Sequence, residues 1–253
     1  MNAADAIAAL ELPPAARLDS RVAKKLLTEN AASTAADRRA VNEQVEELVW
    51  VAALKPNTIG VPAYSDAERD YPELEVLHLA ARSTAKTGRL VDLVHRSIPY
   101  PILLIVTEGG AVALSTAHKR RSLGEGGKVV LDGDRVEVRL DETGDARWLP
   151  AFGDALALVN QPRTSMLSLY QGWVDTLVAL IAARITGTFT VLPSAGDPGA
   201  RHAATTEYAH VTAEMARVRT LAVRETQMPR QVELNAELGR LRAAQEAARA
   251  KLA

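Results

Sequence analysis

Two acids, Glu73 and Glu75, stand at the head of a β-rich run that starts at Leu74, and four consecutive basic residues, His118, Lys119, Arg120 and Arg121, follow another that ends at Ser115. A carboxylate pair is the equipment of metal-assisted phosphodiester hydrolysis, in which acids hold a divalent ion and a lysine helps to position the attacking water. That chemistry wants Glu-x-Lys or Asp-x-Lys on one strand, and no lysine sits two places after Glu73 or Glu75. The apolar run Tyr100 to Val106 supplies no acid, and Glu108 falls in the turn beyond it. The two acids therefore read as ordinary solvent-facing or edge-strand side chains. The basic run leads into Gly124, Gly126 and Gly127, and adjacent donors on a glycine-rich loop suit phosphates of nucleic acid or an acidic partner. Its other reading is a solvated loop.

Other chemistries find less support. The glycines match neither the P-loop nor the dinucleotide fingerprint. His78, His95, His118, His202 and His210 include no pair at zinc-helix spacing, and without cysteine no thiolate completes a metal set. Ser115 and Ser165 lack the strand-turn-helix setting of a nucleophile elbow. No catalytic residue, cofactor or metal is expected. Lys and Arg total 30 against 31 Asp and Glu, a formal charge of −1, so no whole-chain field favours nucleic acid or anionic membrane. Met1 to Leu12 carries Asp5 and Glu11 and no basic leader, which does not read as a signal peptide. The apolar stretch Met166 to Ile185 is interrupted by Gln171, Gly172, Asp175, Thr176 and Arg184. A soluble, cytoplasmic protein is expected.

The elements that position these residues follow from spacing. Asp19 and Ser20 are candidate caps for a helix over Val22, Leu26 and Leu27, and Asp37 for a second. From Arg38, the steps Val41, Val45, Leu48, Val49 and Ala52 predict one helix closed by Lys55 and Pro56. Asn57 to Tyr71 reads as a loop. Leu74–Ala81, Ile102–Val106, Ala111–Ser115, Lys128–Leu131 and Arg135–Leu140 predict strands. The second and third pair as an antiparallel hairpin, and so do the fourth and fifth. Leu90, Val91, Val94 and His95 at helical spacing make Leu74 to Val106 a strand, helix, strand unit compatible with a parallel pair.

Beyond Pro150 the chain is helical: Ser165 to Arg184, then, after a loop at Pro193 to Gly199, a hairpin turning at Gln227 to Arg230. Its stripes are Tyr208, Val211, Met215, Val218 and Ala222, then Leu234, Leu238, Leu241, Ala248 and Leu252, with Gln245 a polar interruption. The fold class is thus α/β (α+β), with a mixed-sheet domain over residues 1–150 flanked by helices and a helical domain over 151–253 ending in a coiled-coil-like hairpin. Leu234, Leu238, Leu241 and Leu252 could serve a partner helix or a second copy as well as the chain's own packing.

The runs WVAALKPNTIG (Trp50 to Gly60), LEVLHLAAR (Leu74 to Arg82), IPYPILLIV (Ile98 to Val106), LSTAHK (Leu114 to Lys119) and VELN (Val232 to Asn235), in this order and spacing, resemble the bacterial family known as domain of unknown function 4391. The departures are a long Ala-rich N-terminus and an Ala-rich last helix. The resemblance implies a protein encoded beside helicases and DNA methyltransferases in loci like type III restriction or other antiphage defence islands, and a non-catalytic accessory role binding one of them. It carries over Lys119, Glu233 and Asn235 as motif members without roles. The alternative is a divergent metal-dependent nuclease of restriction-endonuclease type, using Glu73 or Glu75 with a lysine from elsewhere in the chain.

Overall fold

The protein is described from a computed structural model covering residues 1–82, 87–124, 127–140, 144–192 and 199–252. Asn2 opens helix α1 (Ala3–Ala9): its side chain accepts from the Asp5 amide and the Asp5 carboxylate accepts from the Asn2 amide, both at 2.9 Å, a reciprocal capping box. Strand β1 (Arg17–Arg21) is exposed at all five residues. Asp19 takes φ 45° within a register shift between Arg17 and Ser20, so it shapes a bulge and caps no helix. Helix α2 (Lys24–Asn30) starts instead after Ala23, with no side-chain cap. Helix α3 (Ala35–Gln44) is capped by Thr34, whose hydroxyl accepts from the Asp37 amide at 3.1 Å. Asp37 is spent on Arg89, which donates to both carboxylate oxygens at 2.8 and 2.7 Å and holds the acid well below the usual carboxylate range.

The single helix expected from Arg38 to Lys55 is two elements. Helix α3 stops at Gln44 and strand β2 (Val45–Leu54) takes over. Steps of three and four fit Val45, Leu48, Val49 and Ala52, but Leu48 to Leu54 is equally an unbroken apolar run with β-branched Val49 and Val51, the pattern of a strand with neighbours on both sides. Pairing decides between them: β2 is antiparallel to β1 on one side and to β5 (Leu74–Ala81) on the other. Between these strands lie a one-turn helix, α4 (Pro56–Ile59), and a minimal hairpin, β3 (Tyr64–Ser65) with β4 (Asp70–Tyr71), where the sequence had suggested only loop.

Strand β5, helix α5 (Thr87–Ser97) and strand β6 (Ile102–Glu108) form the expected crossover unit, with β5 and β6 parallel and Glu75 opposite Ile102. Strand β7 (Ala111–Thr116) returns antiparallel to β6. Gly109 and Gly110, at φ 55° and 89°, supply the left-handed pair that a two-residue hairpin turn requires. The fourth and fifth predicted strands do not pair with each other. Strand β9 (Val129–Leu131) pairs with β8 (Lys119–Arg121), and β10 (Val136–Arg139) pairs with β7. The main sheet is mixed, in the order β1-β2-β5-β6-β7-β10. Leu27, Val41, Leu90 and Val94 from α2, α3 and α5 close over Leu48, Leu77, Leu79 and Leu104 of the sheet in one apolar cluster.

The remaining helices are α6 (Leu149–Leu156), α7 (Met166–Thr186), α8 (Ala200–Arg224) and α9 (Met228–Ala250). By contacts the chain forms two units, Met1–Leu177 and Val178–Ala253. The division falls inside α7, later than the change of character at Pro150, because Phe152, Leu156, Leu169, Tyr170 and Trp173 are buried in the first unit. The Tyr170 hydroxyl accepts from the Ala117 amide and donates to the Ile102 carbonyl, each at 2.8 Å. Tyr170→Phe would strand both groups in the core, and a loss of about 2–4 kcal/mol in urea unfolding is expected. Helix α7 is long and apolar enough to cross a membrane, yet 78% of its most apolar window is buried in the protein; it is a core helix. The predicted loop at 193–198 lies outside the described residues, as does Gly126.

Candidate functional site

The basic run forms strand β8 and its approach, and strand alternation sends its side chains in opposite directions. His118 turns inward between two tyrosines: its Nδ1 lies 2.8 Å from the Tyr71 hydroxyl, and its ring meets that of Tyr170 edge-on at 5.2 Å. Burial, with Arg69 adding, lowers it to about 4. Lys119 turns the other way and is 2% exposed. Its amine donates to the carbonyls of His95, at 2.6 Å, and Ile98, capping the C-terminal end of α5, where a cation is favoured. Burial lowers it to about 7. His95, also buried, places Nε2 3.0 Å from the Ser115 hydroxyl, and burial holds it well below the ordinary imidazole value.

Arg120 lies 3.8 Å from Asp132, which also receives Arg69 at 2.6 Å. Arg121 lies 3.5 Å from Asp70 and donates to the Ser65 hydroxyl at 2.9 Å. Three of the four basic groups thus meet carboxylates or carbonyls of the chain itself, and the fourth a tyrosine.

A second polar cluster sits where β2 ends and β5 begins. Ala53 and Leu54 face Glu75 and Leu74 across the ladder, so the next residue, Lys55, arrives beside Glu73, amine to carboxylate 3.3 Å. Glu75 is neither at an edge nor facing solvent. Strand β5 lies between β2 and β6, Glu75 is 1% exposed, and the Trp50 indole N–H donates to its carboxylate. Burial pushes Glu75 up to about 8, and the neighbouring Glu73 charge adds to this. Near pH 7 Glu75 therefore keeps its proton, while the Lys55 amine and the Tyr100 hydroxyl lie beside Glu73. Among the described residues, no group of three or more His, Cys, Asp or Glu side chains is arranged to hold a metal ion.

In the second unit, Leu234 and Leu238 of α9 pack with Val211, Met215 and Val218 of α8, with Leu241 against them. Leu252 packs with Ala182 and Ala204. Three of these leucines pack within the chain's own hairpin, and Leu252 packs between α7 and α8. Gln245, the polar break in the stripe, donates to the Thr212 hydroxyl at 2.7 Å. The turn comes at residues 225–227, slightly before the expected position. Around it Leu221, Val223, Met228 and Val232 remain 43%, 86%, 72% and 63% exposed, an apolar tip on an otherwise polar hairpin.

The family model described as "Domain of unknown function (DUF4391)" matches residues 10–244, nearly the whole chain. The chain belongs to this family. No curated protein and no solved structure matches it. Of the DUF4391 motif residues, Lys119 is buried as described, Glu233 lies 2.6 Å from Arg230 one turn earlier, and Asn235 is exposed. Three features escaped sequence reading. The burial of Glu75 follows from β2, whose strand character was hidden by its helical spacing. Lys55 reaches Glu73 only through that same pairing. Val223, Met228 and Val232 fall off the helical stripes, a signal that was present in the sequence.

Proposed function

We propose that the protein is a non-catalytic accessory subunit of a cytoplasmic DNA-processing defence complex, docking onto a helicase or DNA methyltransferase partner through the tip of its helical hairpin. The observation that carries this reading is the exposure of Leu221, Val223, Met228 and Val232 on both sides of one turn. Large apolar side chains left exposed near one turn suit a protein contact. The pairing of Arg120 with Asp132 and of Arg121 with Asp70 supports the same reading, since those cations are committed within the fold. Co-purification with the helicase or methyltransferase encoded beside it is the test. The Val223→Glu, Val232→Lys double variant is expected to lose at least about tenfold in affinity for the partner, as a contact centre would, with unchanged thermal unfolding. Full retention of the partner by that variant would overturn the proposal.

A second reading, a divergent metal-dependent nuclease, is favoured by the approach of Lys55 to Glu73 beside Glu75, which supplies from β2 the lysine that β5 lacks. Incubation of the protein with plasmid and Mg²⁺ or Mn²⁺ separates the two readings. Cleavage abolished by Glu75→Gln would establish the nuclease.

A further inference from the structure

A cavity of about 390 Å³ opens beside β8, lined by His95 and Arg96 of α5, Lys119, and Val129, Val130 and Leu131 of β9. This is the size in which proteins hold small metabolites. Its lining is one-sided in charge. The Lys119 amine uses two of its three donors on the carbonyls of His95 and Ile98; none of its contacts among the described residues is a carboxylate, and burial alone perturbs it. A buried ammonium without a counter-anion is a costly arrangement that an incoming anion relieves.

His95 is fully buried, and its Nδ1, unlike its Nε2, has no hydrogen-bond partner among the described residues. The charges it feels are both positive, Lys119 and Arg135. Arg96 is the exposed cation of the lining and has the planar fork that grips carboxylate or phosphate in two places. The facing wall is aliphatic. With no aromatic side chain among the described residues of the lining to stack a base, it suits a hydrocarbon chain better than a nucleoside.

We propose that this cavity binds a small organic anion, whose carboxylate or phosphate-ester headgroup is held by Lys119 and Arg96 and whose aliphatic body lies along Val129 to Leu131. Binding recharges the Lys119 amine, because the anion supplies the missing counter-charge. Of the other basic groups near that amine, His95 is held neutral by burial, Arg135 is paired with Asp92 and with Glu137, the latter at 3.1 Å, and Arg96 is the exposed cation that favours an anion.

Isothermal titration calorimetry of the full chain with hexanoate, hexyl phosphate, inorganic phosphate and hexanol tests this. Hexanoate or hexyl phosphate is expected to bind at least about tenfold more tightly than inorganic phosphate or hexanol, a difference of about 1.4 kcal/mol, and the tighter of the two identifies the headgroup. Repeating the titration at pH 8 in buffers of different ionisation enthalpy should show uptake of up to about one proton. Arg96→Ala, at an exposed position, and Val130→Glu, which places a negative charge on the half-exposed wall, should each weaken binding at least about tenfold without a change in melting temperature. No anion binding by the wild-type protein below about 10 mM (about −2.7 kcal/mol), inorganic phosphate binding as tightly as the better of hexanoate and hexyl phosphate, or wild-type affinity in both variants would overturn the proposal.

Discussion

Gly172→Ala should destabilise the protein by about 3 kcal/mol, the upper part of the range for overpacking a closed core. In an isolated helix the same change would stabilise by about 1 kcal/mol, so the sign of the effect tests the packing directly. A Cβ on Gly172 would collide with Gln161 Oε1 and come within 2.6 Å of Pro162 Cδ. Neither neighbour can retreat cheaply. Gln161 is 5% exposed, and its amide donates to the carbonyls of Ala155 at 2.6 Å and Ala157 at 3.2 Å, while Pro162 is a rigid ring. For a unit of this size the loss corresponds to a fall in melting temperature of about 6–12 °C, read by calorimetry or circular dichroism. A rise in melting temperature would mean that α7 and the Gln161–Pro162 segment do not touch.

The second large effect depends on pH. In the folded protein Glu75 keeps its proton to about pH 8, whereas in the unfolded chain it ionises near 4.5. Between these values the unfolded state binds fewer protons, so the contribution of Glu75 to stability is full below about 4.5, declines as pH rises, and is lost above about 8. At about 1.4 kcal/mol for each pH unit of displacement, the whole swing is on the order of 5 kcal/mol. Glu75→Gln carries a permanently neutral group that still accepts from the Trp50 indole, and so lacks this decline. Urea unfolding should find wild type and variant alike at pH 4.5 and the variant more stable by a few kcal/mol at pH 8.5. Parallel profiles would show that Glu75 is ionised in the fold. His118, lowered to about 4, imposes the opposite slope between about 4 and 6.5, and His95, also lowered, acts in the same direction; both act on wild type and variant alike and cancel in the difference.

Much of the architecture could be read from residue order. The parallel unit from Leu74 to Val106, the β6–β7 hairpin with its glycine pair, and the three long C-terminal helices all follow from periodicity and turn residues. Two errors share a physical origin. In Val45 to Leu54 apolar residues recur at both helical and strand intervals, and only the presence of β1 and β5 on either side selects the strand. Lys128 to Leu131 and Arg135 to Leu140 lie close enough in sequence to suggest a hairpin, but each finds a better partner elsewhere, β8 and β7.

The candidate sites were less legible for the same reason. Adjacency marks the run His118 to Arg121, but only the three-dimensional placement of α5 and of Asp70 and Asp132 reveals that the cations turn inward or pair. The helical hairpin was legible as a pair of helices, with its leucine stripe open to the chain's own packing or to a partner. Its uncovered tip was not, because residues off the stripe attract no notice until the stripe itself is seen to be filled.

The outermost strand β1 has a bearing on how the molecule behaves when crowded. A flat, apolar outer strand would invite another chain to zip alongside and seed fibrils. Here Arg17, Asp19 and Arg21 put charge along that margin, and the kink at Asp19 throws its amides out of step with any straight newcomer. Flattening this kink while neutralising its charges would turn the margin into an adhesive seam, and slow aggregation at high concentration would be the outward sign.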